Sequence, residues 1–181
     1  MVGWREHASG DGRSVSGAPA EPSETPTNSL VSVYRRSGAY FVVSSAKTTA
    51  GLWVHDGEPR RLSESETEMA ELGAEVLARL AKPPRVVPHP AQHEWPQQRR
   101  ASLTPILRLA EARSWRSFVS EASLVEVEQL NGVVTISPML PMPKPIGAFE
   151  PDGTRTERLA APSATELGQA ILHAFTATPA P

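Results

Sequence analysis

Two imidazoles and a carboxylate, His89, His93 and Glu94, fall within six residues and are donor types that hold zinc. Such a site needs both rings on one face and a third ligand in reach. Pro88, Pro90 and Pro96 deny the segment a regular helix, and no third ligand is spaced nearby. His55 falls at a strand end and His173 on a helix, neither with a partner evident in the sequence. Glu64, Glu66 and Glu68, and again Glu126 and Glu128, supply the paired carboxylates that general acid and base chemistry requires. The first three stand where a helix N-terminus attracts negative charge, and the second pair has the period-two spacing of one strand face.

No Gly-x-Ser-x-Gly elbow, phosphate-cradling glycine loop or dinucleotide fingerprint occurs. The absence of cysteine excludes disulfides, thiol nucleophiles and cysteine-ligated zinc. Arg99, Arg100, Arg108, Arg113 and Arg116, with Trp115 among them, make the middle of the chain locally basic in a way that suits single-stranded nucleic acid. The whole chain is nearly balanced, with 18 basic and 20 acidic residues, and lacks the field of a general nucleic-acid or membrane-surface binder. These residues therefore point to a protein that is not an enzyme, needs no metal or cofactor, and has no direct nucleic-acid or membrane partner.

The elements that position these groups announce themselves by a repeated helical phrase. Glu71-Leu72-Gly73-Ala74-Glu75-Val76-Leu77-Ala78-Arg79-Leu80 returns as Glu166-Leu167-Gly168-Gln169-Ala170-Ile171-Leu172-His173-Ala174-Phe175. In each copy the apolar residues form one stripe at helical period. A glycine beside the stripe would let helix and sheet backbones approach closely. Each copy also follows a Ser-x-x-Glu spacing, Ser63 to Glu66 and Ser163 to Glu166, that of a capping box.

Ahead of the first copy, residues 30–35, 40–43 and 52–54 read as three strands of a meander, Asp56-Gly57 as a turn and Arg61-Leu62 as a brief fourth strand. The first helix is expected over residues 64–81, stopped by Pro83-Pro84. Residues 82–102 lack periodicity and read as a long surface loop. A helix follows over residues 102–112, with Pro105 tolerable in its first turn. Residues 124–130 and 133–137 flank Asn131-Gly132, a tight hairpin signal, with Val125, Val127, Val134 and Ile136 facing the core and Glu126, Glu128 and Thr135 facing out. Prolines in residues 138–145 interrupt the sheet, and residues 149–158 return as a frayed strand around Pro151-Asp152-Gly153.

At 181 residues the chain has room for one domain of ordinary size, about 100–150 residues, plus tails. Residues 1–29 are rich in Gly, Ser, Pro and Glu and are expected to be a disordered leader, residues 30–176 a single domain, and residues 177–181 a tail. No secretory apolar run occurs in residues 1–17, and no stretch approaches the roughly 18 apolar residues of a membrane span, so the expectation is a soluble cytoplasmic protein. The fold expected is α/β of the α+β kind: one mainly antiparallel sheet built from two β-meander or hairpin units, each closed by an amphipathic helix with a Glu-Leu-Gly motif.

Over residues 31–175 the order of these pieces resembles the immunity proteins of bacterial contact-dependent growth inhibition systems. The resemblance is carried by Thr48-Thr49-Ala50-Gly51, Glu71-Leu72-Gly73, Ser114-Trp115-Arg116-Ser117-Phe118, Thr135-Ile136-Ser137-Pro138 and Glu166-Leu167-Gly168. It implies a small cytoplasmic binder that neutralises, by stoichiometric occlusion, the toxic C-terminal domain of a large exported protein. Such toxin tips are often nucleases, whose basic grooves suit an acidic inhibitor. On that reading, Glu126, Glu128 and the acidic turn at Asp152 are the candidate toxin-binding residues, as ordered carboxylates that no internal partner in the sequence claims. The alternative is a non-enzymatic adaptor that recruits another partner through residues 1–29 or the 82–102 loop.

Overall fold

The computed structural model describes residues 28–142 and 148–177. Residues 1–27 of the expected leader, most of the proline-rich run after Pro141 and residues 178–181 of the tail lie outside the described residues; Asn28 and Ser29, counted with the leader, instead open the first strand opposite Leu130 and Gln129, and Ala177, counted with the tail, ends the last helix. Strands β1 (Asn28–Arg36), β2 (Ala39–Thr48) and β3 (Trp53–Ser63) form a meander closed by α1 (Met69–Leu80). A connecting segment carries β4 (Val86–Val87), α2 (Trp95–Leu109) and α3 (Trp115–Val119). The second unit is β5 (Ser123–Leu130), β6 (Val133–Pro141), β7 (Phe149–Pro151) and β8 (Glu157–Ala160), closed by α4 (Ala164–Ala177). The strands form one sheet in the order β3-β2-β1-β5-β6-β7, with β8 also on β6 and β4 parallel to β2. The units join where β1 runs antiparallel to β5. This is the α+β arrangement the sequence implies, two units sharing a sheet, each with its Glu-Leu-Gly helix.

Alternation along the strands divides the sheet into two faces. On one, Val31 and Val33 of β1, Tyr40 and Val42 of β2, Val125 and Val127 of β5, and Val134 and Ile136 of β6 pack beneath Leu72, Val76 and Leu80 of α1 and Leu167, Ile171 and Phe175 of α4. On the other, Tyr34, Phe41, Val43, Leu124 and Met139 pack beneath Ile106 of α2, Ala110 at its C-cap, and Phe118 and Val119 of α3. The sheet is thus sandwiched, but α2 and α3 cover only part of the second face. The Asn131-Gly132 hairpin is as expected, with φ of 52° and 79°, the positive values a tight two-residue turn demands.

The signature glycines bring helix to helix, not helix to sheet. A Cβ on Gly73 would lie 1.8 Å from the carbonyl oxygen of Ala164, the first residue of α4. A Cβ on Gly168 would lie 1.8 Å from the carbonyl oxygen of Met69, the first residue of α1. Each helix therefore seats its opening carbonyl in the other's glycine notch.

Only one of the two expected capping boxes forms. Ser163 Oγ accepts from the Glu166 amide at 3.3 Å, and Glu166 Oε2 accepts from the Ser163 amide at 2.8 Å. Ser63 instead ends β3, where Leu62 is buried opposite Tyr40, and its hydroxyl meets that of Ser65. With the chain held in the sheet to that point, α1 begins at Met69 rather than near Glu64, with Glu68 as an N-cap lacking a side-chain bond.

Three further expectations are corrected. Asp56-Gly57 is not a turn: β3 runs through it, with a register shift opposite Val42 and Ser44 and with Gly57 at φ 78°, so Arg61-Leu62 belongs to the same long strand. Residues 82–102 are not one loop, because α2 starts at Trp95 with Pro96 in its first turn, and Pro105 then lies inside the helix. The inward stripe of that first half includes Gln98 and Ser102, so apolar periodicity could not report it. Pro138 does not break the sheet: it pairs with Val125 inside β6, and its carbonyl accepts from the Asp152 amide at 2.8 Å.

Candidate functional site

Residues directly opposite one another in an antiparallel pair share a face. Glu126 stands between Ser32 of β1 and Ser137 of β6, and Glu128 between Leu30 and Thr135. Both carboxylates therefore lie on the face of Tyr34 and Leu124, just past the rows that α2 and α3 cover. They are half-buried on a sheet with a second core, not on a plain solvent face as expected. Leu130 and Val133, opposite each other at the hairpin tip, continue the strip and are 43% and 39% exposed.

Burial, and secondarily the Glu128 carboxylate, raise the Glu126 carboxyl above the usual carboxylate range. Among the described residues neither glutamate makes an ion pair or hydrogen bond. The strip is thus an acidic, half-desolvated surface with apolar side chains beside it.

Asp152 behaves differently. Its Oδ1 accepts from the Thr154 hydroxyl at 2.6 Å and the Thr154 amide at 3.1 Å, and Arg155 lies 3.4 Å from its other oxygen. The Thr154 hydroxyl first, with the Thr154 amide and Arg155, hold its carboxyl below the ordinary value. Asp152 therefore serves its own turn between β7 and β8, beyond β6 from the glutamates, and is not the unclaimed carboxylate expected. The link between the two regions is indirect, through Thr156 Oγ1, 3.4 Å from the hydroxyl of Ser137.

Beside Glu126 the floor of this face is Tyr34, which the sequence did not single out. Its Oη is 3.1 Å from His55 Nε2, and its ring meets His55, Trp115, Phe118 and Phe149 edge-on. Burial, with the Glu126 carboxylate adding to it, pushes the Tyr34 phenol far above its ordinary value. Burial likewise pulls the His55 imidazole from 6.5 to about 4, so it is neutral at physiological pH. The folded state resists protonation of His55 more than the unfolded chain does. Its contribution is intact above pH 6.5 and is lost as pH falls toward 4, about 3 kcal/mol in all. Melting curves between pH 7.5 and 4.5 should therefore fall more steeply for the wild type than for His55→Gln; parallel slopes would exclude this assignment.

The remaining candidates do not gather. His89 packs edge-on to Trp95 at 5.3 Å, its amide donates to Thr49 Oγ1 at 3.0 Å, and its Nδ1 is 3.4 Å from Thr48 Oγ1, which fastens the segment after β4 to the end of β2. His93 is exposed, and Glu94 Oε2 accepts from the Ala91 amide at 2.7 Å. Among the described residues no group of three or more His, Asp or Glu could hold a metal ion. No helix among them is long and apolar enough to cross a membrane. Of the arginines on and between α2 and α3, Arg108 pairs with Glu58 at 3.5 Å, while Arg99, Arg100, Arg113 and Arg116 are exposed.

One family model, described as CDI immunity protein, matches residues 30–178. Among solved structures, the fold is similar to that of a Neisseria meningitidis protein of unknown function, with a TM-score of 0.69 at 16% identity, covering 84% of this chain and 96% of that one. It is also similar to a CdiA-CT/CdiI toxin and immunity complex from Yersinia pseudotuberculosis, with a TM-score of 0.65 at 14% identity, covering 84% and 98%. No curated protein matches in sequence. At these identities the structural likeness is one of fold.

Proposed function

Because the chain belongs to the CDI immunity protein family, we propose that it binds the toxic C-terminal domain of its own system's exoprotein and neutralises it by one-to-one occlusion. On this reading the protein works in the cytoplasm as a stoichiometric inhibitor, with no cofactor and no catalysis. The observation that carries the choice of surface is the β5 and β6 strip. Glu126 and Glu128 are half-desolvated, mutually repelling and unpaired among the described residues, with Leu130 and Val133 exposed beside them.

A fold tolerates such a pair when a partner supplies the missing counter-charge, and a basic toxin surface would do so. A nuclease groove is one such surface. Asp152 is left out of the contact because Thr154 and Arg155 already satisfy it. Nanomolar binding corresponds to about −12 kcal/mol, which a few well-packed anchors can supply. Calorimetric titration of the full chain against the C-terminal domain encoded by the adjoining exoprotein gene, with an unrelated toxin domain as control, tests the reading. Partner-specific nanomolar binding at one-to-one stoichiometry is the expected result; equal or absent binding to both domains overturns it.

A further inference from the structure

The chain has four tryptophans, and three of them meet in one place. Trp53 of β3, Trp95 of α2 and Trp115 of α3 line a cleft of about 280 Å³, with His55, Arg99 and Leu103. The volume falls just below the range of about 300–1,000 Å³ usual for small-molecule pockets and suits a single ring system. The walls are already fixed. Trp115 stacks on Phe118 at 5.4 Å and meets His55 at 6.0 Å, Trp95 is held edge-on by His89, and the Lys47 ammonium lies over Trp53 at 5.4 Å.

Two kinds of polar group in and around this cleft are uncommitted, one ring nitrogen of His55 and the guanidinium groups of nearby arginines. His55 Nδ1 is buried without a hydrogen-bond partner among the described residues, while Nε2 is taken by Tyr34. Arg99 at the cleft, Arg100 beside it, Arg113 before α3 and Arg116 on it make no ion pair among the described residues. The arginines near α1 contrast with them, since Arg60 and Arg79 are held by Glu75 and Arg85 by Asp56. A preformed aromatic socket rimmed by uncommitted guanidinium has the composition of an interface hot spot.

We propose that this cleft is an anchor pocket for an aromatic side chain of the toxin domain, carried beside a carboxylate that pairs with Arg99. The inference rests on the proposed function for the identity of the partner, and it adds a second contact of opposite charge to the glutamate strip. The two contacts share a floor, because Tyr34 bonds His55 on one side and lies in the field of Glu126 on the other. A partner presenting a basic patch to β5 and an acidic, aromatic knob to the cleft can dock in one orientation only. A protein ring fits better than a nucleobase. Base-stacking platforms use open ring faces, whereas here one face of Trp115 is spent on Phe118 and one of Trp53 on Lys47.

The test uses the full chain and the toxin domain, with wild-type binding established first, since failure of that step would count against the proposed function instead. Arg99→Glu should weaken binding roughly tenfold, and Ser102→Trp, which fills the cleft from α2, by roughly a hundredfold, both with wild-type melting curves. Affinities within twofold of wild type for both variants would overturn the proposal. Indole-3-acetate supplies a readout that needs no toxin. It should shift the indole N–H resonances of Trp53, Trp95 and Trp115 in the wild type and not in Ser102→Trp. Unmoved resonances, or saturable binding of a single-stranded RNA octamer that Ser102→Trp abolishes, would overturn the anchor assignment.

Discussion

Gly73→Ala is expected to melt well below the wild type, by roughly 6–12 °C, from a loss of about 3 kcal/mol. Helix propensity argues the other way, because alanine in a helix interior is worth about 1 kcal/mol over glycine. Contact decides the sign. The new methyl would sit 1.8 Å from the Ala164 carbonyl oxygen and 2.8 Å from the Gly168 amide nitrogen, both backbone atoms that no rotamer change can move. The helices must separate, and Leu72, Val76, Leu167 and Ile171 beneath them lose packing. Gly168→Ala meets the Met69 carbonyl in the same way. The double variant should cost less than the sum of the two, since one separation relieves both clashes. Gly153→Ala, where a Cβ meets nothing within 4 Å, is the control and should stay within about 0.5 kcal/mol of wild type. Thermal melts of the four variants and the wild type check this, and a Gly73→Ala curve overlaying the wild type would show that the crossing is soft.

Glu126→Gln combined with Glu128→Gln should move affinity and stability in opposite directions. Toxin binding is expected to weaken by roughly 10–100-fold as the charge facing the partner disappears. Stability at neutral pH should rise. Glu126 titrates above the ordinary carboxylate range in the folded protein, so the fold holds that proton more tightly than the unfolded chain. Stability from this group is present at low pH and is lost as pH rises through and above the ordinary carboxylate range. The amide removes that loss and leaves the β5 backbone pairing alone. A weaker binder with a higher melting temperature cannot be explained by damage to the fold. Titration calorimetry and melts at pH 7 on the same samples decide it, and unchanged affinity would remove the strip from the interface.

Much of the scaffold was legible because it is local. Period-two alternation, the Asn131-Gly132 turn and the repeated helical stripe each lie within a few residues, and they correctly gave two units, their closing helices and the inward set Val125, Val127, Val134 and Ile136. What escaped were properties of pairings between distant segments. Ser63 to Glu66 has the capping-box spacing, yet Leu62 opposite Tyr40 keeps the chain in the sheet. The glycines advertised a close approach, but to the sheet, whereas each meets the opening carbonyl of the other helix. Glu126 and Glu128 were identified as a strand-face pair, whereas their half-burial follows from Tyr34 and the helices of the connecting segment, which pack on the face they share. Trp53, Trp95 and Trp115 lie too far apart in sequence to be read together, and the first half of α2 hides its inward stripe behind Gln98 and Ser102. Asp152 was visible as an acid, but its engagement by Thr154 was not.

The reciprocal glycine notches divide the molecule by its capacity to change. On the α1 and α4 side each unit supplies both the notch and the carbonyl that fills the other's, so a substitution in one copy must be answered in its counterpart, and drift is constrained twice over. The opposite side has no such mirror: α2 and α3 come from the connecting segment alone, and both the glutamate strip and the tryptophan cleft belong to it. With recognition on the proposed surfaces, a lineage whose partner keeps altering its own can therefore revise one side of the sheet without renegotiating the joint on the other.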